Sequence, residues 1–232
     1  MRTITRLTVL LAFPFFFSCS KDGEDAGTII TTDFNDSLGG WTADFADYPA
    51  ANEATYELQS GHEQLPAPLN QSQRGFRLSG NNHSDDLFMF IKSKISGLEA
   101  NKTYKAFIEV QFASNAPSGT AGGAPGESVF LKAGFTTIEP VKELEEATGY
   151  YRMNIDKSNQ GNSGADLKVI GNIANGKTAA EYTLLELGGE SNVFTVQSNE
   201  AGEVWVTVGT DSGFEGATTL YYRMIGVRLV PQ

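Results

Sequence analysis

Aromatic and hydrogen-bonding side chains alternate with aliphatic ones along several segments of this chain. In TYKAFIEVQFAS, residues 103–114, Phe107, Glu109 and Gln111 share one parity, whereas the other parity is almost entirely apolar. A sugar has an apolar ring face edged by hydroxyl groups, so a site that binds it combines aromatic side chains with amide, carboxylate or guanidinium groups. The pattern indicates non-covalent binding chemistry of this kind.

Four further segments, ESVFLKAGF, YYRMNID, EVWVTVG and the closing TTLYYRMIGVRLV, repeat the alternation. If their strands are neighbours, the faces directed away from the core line one concave sheet. The candidate ligand-binding residues on these faces are Phe107, Glu109, Lys132, Tyr150, Arg152, Trp205, Tyr221 and Arg223. For Trp205, which lies between two valines, the alternative is a place in the core beneath loops.

A second candidate site lies in SGNNHSDD, residues 79–86, a polar turn in which four side chains are candidate ligands. They are Asn82, His83, Asp85 and Asp86. Carboxylate and amide oxygens bind sugar hydroxyl groups and also suit Ca²⁺, so a structural calcium ion is the one cofactor that the sequence suggests. The alternative is a turn that these side chains hold together by hydrogen bonds.

The residues that most enzymes use for acid–base or metal chemistry are scarce. His62 and His83 are the only histidines, and neither an H-E-x-x-H nor a G-x-S-x-G motif occurs. Glycosidases of β-sandwich folds hold two carboxylates about 5 to 9 Å apart, and no strand segment here carries such a pair at alternate positions. We therefore expect no catalytic residues and a protein that binds without chemistry.

The elements that must position these side chains are strands. About a dozen segments show alternation with period two, and clusters of Gly, Asn, Asp and Ser separate them. Only EPVKELEEA, residues 139–147, and KTAAEY, residues 177–182, favour a helical turn. In the closing run the apolar parity changes beside Gly226, which predicts a β-bulge there. The sequence predicts an all-β fold, a single jelly-roll β-sandwich domain.

The two ends of this domain resemble a known family. DFNDSLGGWTADFADYP, residues 33–49, and VTVGTDSGFEGATTLYYRMIGVRL, residues 206–229, look like the first and last strands of carbohydrate-binding modules with a galactose-binding-like jelly roll. The resemblance implies a β-sandwich that binds glycans. Arg223 stands where many such modules have Asp after paired aromatics, which weakens the case for carrying over their structural calcium site.

An enzyme family offers a rival resemblance. VFLKAGF, residues 129–135, is similar to the Y-F-K-A-G-V strand of the alginate-lyase jelly rolls, with Lys132 on the matching Lys. The companion Arg-x-Glu-Leu and Gln-Ile-His strands of that family are absent, which leaves no evident acid or base for a lyase. A polysaccharide lyase or glycoside hydrolase is kept as the alternative function because of the VFLKAGF strand. A structural or adhesive surface protein is the third candidate function.

The N-terminus carries a targeting signal. Arg2 and Arg6 precede a short apolar run, Leu7 to Phe17, which is too short to span a bilayer. The residues FFSC that end in Cys19 resemble the lipobox of bacterial lipoproteins. This resemblance implies a signal peptide at residues 1–18, acylation of Cys19 with chains such as palmitate, a lipidated tether at 19–27 and the jelly-roll domain at 28–232. The alternative is a plain secretory signal peptide followed by an incidental thiol.

The net negative charge of the chain and the acidic tract after Cys19 indicate where the protein is located and what it binds. The whole chain has a formal charge of −11, and the chain from Cys19 has 15 basic and 28 acidic residues, a charge of −13. Without a basic block, nucleic acid is excluded as a partner. The tract Ser20–Asp25 looks like the acidic tags that send some Gram-negative lipoproteins to the cell surface. We expect an outer-membrane lipoprotein that faces outward rather than into the periplasm, touches the membrane only through its lipid, and binds a glycan or another extracellular ligand.

Overall fold

The structure, a computed structural model, describes residues 27–119 and 125–232. The predicted signal peptide, the acylated Cys19 and nearly all of the tether lie outside these residues. The strands are β1 (Thr28–Asp33), β2 (Thr42–Ala46), β3 (Tyr48–Pro49), β4 (Gln59–Gln64), β5 (Arg74–Asn82), β6 (Phe88–Ile95), β7 (Thr103–Ser114), β8 (Val129–Thr136), β9 (Lys142–Glu145), β10 (Tyr150–Met153), β11 (Leu167–Asn172), β12 (Thr183–Gln197), β13 (Val204–Ser212) and β14 (Gly216–Pro231). A 3-10 helix covers Ala50–Tyr56, and a four-residue helix, α1, covers Pro125–Ser128.

Two antiparallel sheets form the sandwich. Sheet A has the strand order β12-β7-β14-β5-β4, with β1 paired to the far half of β14, and sheet B has the order β11-β8-β13-β6-β2. The chain changes sheet at each step from β5 to β8 and again from β11 to β14, which is the connectivity of a jelly roll. The predicted fold class is confirmed.

The core lies between the two sheets and is built by the period-two pattern. On β7 the side chains of Tyr104, Ile108 and Phe112 point inward, and on β13 those of Val204 and Val208 do the same; all five belong to one buried apolar cluster. Alternation places every second residue of β7 and β13 on the outer faces. The predicted strand over residues 103–114 coincides with β7.

A third, smaller sheet covers part of the outer face of sheet B. Its strand order is β3-β10-β9, and the loop 154–166 continues from it. We call β9, β10 and residues 154–166 the cap. Ile155 and Met153 of the cap pack on Phe88, Phe90 and Leu167 of sheet B and form a second apolar cluster outside the sandwich core.

Three local expectations are wrong. Residues 139–147 contain strand β9 instead of a helical turn, because the pairing of β9 with β10 supplies its backbone hydrogen bonds. Residues 177–182 form bends without a helix. The bulge lies at Arg223 instead of Gly226, since the register between β14 and β7 shifts between Tyr222 and Met224.

Within the described ranges, no helix has the length and apolar character needed to cross a membrane.

Candidate functional site

The structure distributes the eight predicted ligand residues over three places. Four lie on the outer face of sheet A, two on the outer face of sheet B and two in the cap. They are, in that order, Phe107, Glu109, Tyr221 and Arg223; Lys132 and Trp205; Tyr150 and Arg152. The expectation that one concave sheet carries all of them is wrong, because their strands belong to different sheets.

The middle of the outer face of sheet A is open and polar. Glu109 and Gln111 of β7 and Met224 of β14 are half-buried there, and Glu186 of β12 is exposed. Arg223, at the bulge, forms an ion pair with Asp33 of β1. We call the surface formed by Glu109, Gln111, Glu186, Arg223 and Met224 the open face. Among the described residues no protein group hydrogen-bonds to the Gln111 amide, so both ends of that amide are available to a ligand.

Two carboxyl groups of the open face interact with each other. Glu109 and Glu186 lie diagonally across the β7–β12 pair, in hydrogen-bonding reach. Partial burial, together with the hydrogen bond to Glu186 and its charge, raises the pKa of Glu109 to about 7. Below about pH 7 the Glu109 carboxyl group is therefore mostly protonated, so that it both donates and accepts hydrogen bonds, which suits sugar hydroxyl groups.

Aromatic rings flank the open face at both ends, but neither presents a free face. Phe107 is buried beneath Arg228, whose guanidinium carbon is 4.1 Å from the ring centroid, and Lys105 lies 5.2 Å from the same centroid. Tyr221 is buried against Tyr182, with the ring planes at 85°. The expectation of exposed ring platforms at Phe107 and Tyr221 is wrong, because long side chains and a neighbouring loop cover them.

Lys132 belongs to a buried ion cluster beneath the cap. Its side chain is 0% exposed, and its ammonium donates to Asp211 at 2.7 Å and to the carbonyl of Lys157 at 2.7 Å. Burial lowers the pKa of Lys132, although Asp211 opposes that shift. Lys157 joins Asp211 to Asp47, at 2.8 and 2.7 Å. The expectation that Lys132 lines an open sheet face is wrong, since the cap closes that part of sheet B.

The cluster continues to a cleft at the edge of the cap. Arg152 donates to Asp47 and to Asp86, both at 2.9 Å, and stacks on Tyr150 with 4.7 Å between guanidinium carbon and ring centroid. Burial and the nearby Asp47 charge raise the pKa of Asp86 to about 6. The cleft has a volume of about 290 Å³ and is lined by Asp47, Asp86, Arg152, Met153, Ile155, Asp156, Lys157, Ser158 and Asn159. Its cations are already paired with carboxylates.

Trp205 lies on sheet B at the end that the cap leaves uncovered. Its indole is partly exposed, and the Lys92 ammonium is 5.6 Å from the ring centroid. A ligand role for Trp205 stays a prediction, as it does for Tyr150 and Arg152.

The polar turn between β5 and β6 is held by its own hydrogen bonds. Asn82 is buried and donates to the carbonyls of Ser212 and Phe214, and His83 contacts the carbonyl of Thr55. Asp85 has a left-handed backbone, with φ 59°. Across the described residues, no three His, Cys, Asp or Glu side chains are placed to hold a metal ion. Binding of sugar or calcium at this turn stays a prediction.

The sequence missed Glu186 as a candidate. It lies in TLLELGG, where Leu185 and Leu187 alternate with Leu184 and Glu186, a signal that would have identified the strand. Its approach to Glu109 follows only from the register of β12 on β7, which no local pattern contains.

Three solved structures give the comparisons. The xylan-binding CBM22-1 domain of Paenibacillus barcinonensis Xyn10C is 13% identical, with a TM-score of 0.41, over 89% of this chain and 97% of that domain. A CBM28 module specific for non-crystalline cellulose is 10% identical, TM-score 0.38, covering 84% and 89%. The K1 cleaved adhesin domain of Lys-gingipain from Porphyromonas gingivalis W83 is 7% identical, TM-score 0.38, covering 89% and 99%.

No family model and no curated protein matches the sequence. With scores below 0.5 and identities below 15%, these likenesses assign neither a family nor a ligand.

Proposed function

We propose that this protein is a lipid-anchored surface protein whose jelly-roll domain binds an uncharged glycan on the open face of sheet A, without chemistry. The observation that carries this proposal is the contrast between the two outer faces. The cap closes sheet B over its charged residues, whereas sheet A keeps Glu109, Gln111 and Glu186 accessible beside one another. Such a row of hydrogen-bonding groups on a rigid sheet suits a chain of sugar hydroxyls.

Charge favours an uncharged ligand over a polyanionic one. The chain carries a formal charge of −11, and the open face contributes two carboxyl groups of its own. Arg223, the cation of the open face, is already paired with Asp33. An anionic polysaccharide would meet repulsion with little local compensation.

The geometry of Glu109 and Glu186 favours binding over hydrolysis. A glycosidase needs its two carboxyl groups about 5 to 9 Å apart so that they flank the scissile bond. Here the two residues are diagonal neighbours on one face of the β7–β12 pair and interact with each other, so they do not stand on opposite sides of a cleft. They are placed to contact hydroxyl groups from one side.

The test is a glycan array probed with the full-length chain in detergent, followed by calorimetry on the glycan retained. Gln111→Ala is expected to weaken binding about three- to tenfold, the equivalent of one net hydrogen bond. Trp205→Ala, on the opposite sheet, tests the rival position of the ligand and is expected to leave the affinity unchanged if the glycan occupies the open face. Loss of binding in Trp205→Ala alone would place the ligand on sheet B, and new reducing ends or unsaturated uronates would identify an enzyme. If no glycan is retained, the adhesive alternative is favoured.

A further inference from the structure

Gly226 occupies an unusual position for a glycine. It lies in the middle of β14, in regular register with Glu109 of β7 on one side and Thr31 of β1 on the other. Glycine weakens the interior of a strand, because it adds backbone entropy to the unfolded chain and contributes no side chain to the sheet. Its presence in a central strand therefore needs a reason.

The usual structural reasons do not apply to Gly226. The bulge of β14 is at Arg223, and Gly226 is absent from the glycines with a left-handed backbone. A Cβ built on Gly226 meets a single atom within 4 Å, the Cβ of Glu109 at 4.0 Å. Other strand glycines differ: a Cβ on Gly134 would come 2.0 Å from the carbonyl of Asp166, and Gly188 has φ +100°.

The missing side chain leaves room for a small group above the Cα of Gly226 on the outer face of sheet A, and we call this space the pit. Its floor is the backbone of Gly226, of which the neighbouring side chains leave only a small area open to solvent. The walls are the nearest residues of the same face: Met224 and Arg228 along β14, Glu109 on β7 and Thr31 on β1. The pit thus combines apolar methylene groups with a carboxyl and a hydroxyl group. A glycine inside a strand often marks a bulge, a tight bend or close approach of a ligand or another backbone, and at Gly226 the approach of a ligand is the reading that we pursue.

We propose that the pit over Gly226 receives the exocyclic hydroxymethyl group of a hexopyranose unit, so that the site selects hexose-based over pentose-based glycans. This inference rests on the proposed function. The hydroxymethyl carbon packs against the glycine backbone and Met224, and its hydroxyl group bonds to Glu109 or Thr31. A pentopyranose such as xylose has no group to fill the pit.

The test compares chains that share a β-1,4 linkage and differ in this group. Full-length protein is titrated with cellohexaose, mannohexaose and xylohexaose by calorimetry, alongside an array of other hexose- and pentose-based oligosaccharides. We expect at least one hexose-based chain to bind at least about tenfold more tightly than its pentose counterpart, the effect of a missing carbon in a fitted pocket.

Gly226→Val supplies the decisive variant. Valine suits the extended backbone of a strand, and its Cβ has room at this position, so the thermal unfolding midpoint is expected not to fall, while binding of the hexose-based chain weakens at least about tenfold. Thr195→Val, on the same face of β12 but away from the pit, is the matched control and should bind normally. Gly226→Ala adds a single methyl group to the pit and serves as the test if the valine variant does not fold.

Each outcome decides the proposal. Wild-type binding to a hexose-based chain that survives Gly226→Val and Gly226→Ala unchanged overturns the pit and leaves the glycan-binding function intact. Equal affinity for the hexose and pentose chains would also overturn the pit and leave the glycan-binding function intact. If the wild-type chain retains no oligosaccharide, both the pit over Gly226 and the proposed glycan-binding function are overturned.

Discussion

At the scale of single residues, the Glu109–Glu186 pair links titration to stability. The pKa of Glu109 is raised to about 7 by burial and by Glu186, above the usual 4.5 of a glutamic acid. A raised pKa means that the folded protein binds the proton more tightly than the unfolded chain does. The stability that follows is fully present below about pH 4.5 and is lost as the pH rises through 7.

Glu186→Gln is therefore expected to flatten this dependence. The amide keeps a hydrogen-bonding group beside Glu109 and removes the charge that repels it, so the variant should gain in unfolding temperature over wild type between pH 5 and pH 8.5. Differential scanning fluorimetry across that range measures the gain, with the exposed Glu200→Gln as the control. A constant offset between variant and wild type would show that the two carboxyl groups titrate independently.

A second prediction at this scale concerns Tyr222. Its ring is buried in the core, and its hydroxyl group has no hydrogen-bond partner among the described residues; burial raises the pKa of Tyr222 far above its usual value. An unpartnered buried hydroxyl group costs about 1–3 kcal/mol. Tyr222→Phe is expected to raise the free energy of unfolding by about 1 kcal/mol in guanidinium titrations.

The matched control has the opposite sign. The hydroxyl group of Tyr104 accepts a hydrogen bond from the backbone of Glu99 at 3.0 Å. Tyr104→Phe should therefore lose about 1 kcal/mol. Loss of stability in both variants would mean that the Tyr222 hydroxyl group is satisfied by buried water.

At the scale of elements, the cap depends on a buried carboxylate. Asp211 of β13 accepts from both Lys132 and Lys157, and its side chain is fully buried. Breaking a buried ion pair by removing one partner leaves uncompensated charge and costs about 3–5 kcal/mol. Asp211→Ala is expected to lose that much in urea unfolding, and Asp211→Asn, which keeps the volume, should lose less.

Glu143→Ala, an exposed change on β9 of the same cap, should stay within about 0.5 kcal/mol of wild type. If Asp211→Ala also changed the free energy of unfolding by no more than about 0.5 kcal/mol, the buried ion cluster would not stabilise the fold.

Periodicity in the sequence was enough to predict the strands and the jelly-roll class, because alternation is a local property of each strand. The parity of β7, β8 and β13 correctly separates core-facing from outward residues. Alternation does not show whether another part of the chain covers the outward-facing side chains. Lys132 and Trp205 lie on the same face of sheet B, yet the cap buries the first and leaves the second partly exposed.

The missing information is non-local. The cap reaches sheet B through contacts such as Lys157–Asp211, which are 54 residues apart in the chain. Similarly, the pairing of Glu186 with Glu109 depends on strand register, and the position of the bulge at Arg223 depends on the partner strand. The apolar pattern of the closing run predicts that β14 has a bulge. It does not fix the bulged residue, which is Arg223 and not the predicted Gly226.

At the scale of the whole molecule, the charge, the open face and the N-terminus fit one arrangement. An acidic domain with its ligand face on sheet A needs no contact with lipid of its own. The proposed anchor is a set of acyl chains at Cys19, in which each buried methylene contributes about 0.8 kcal/mol and more than one chain is needed for stable attachment. The acidic tract Ser20–Asp25 is proposed to direct the anchored protein outward.

Cys19→Ser tests the anchor. Without the thiol no acyl chain can be attached, so the variant is expected to leave the membrane fraction for the soluble one. The unfolding temperature is expected to stay unchanged, because the first strand of the described sandwich begins at Thr28. Replacing Asp22, Glu24 and Asp25 by Ala separates anchoring from display: the protein should stay in the membrane but become resistant to protease added to intact cells. Membrane retention of Cys19→Ser would overturn the lipoprotein proposal, and unchanged protease sensitivity of the triple variant would remove the acidic tract from the export signal. Protection of the wild-type chain on intact cells would instead place it on the periplasmic face, where the glycan it meets would have to be small enough to enter.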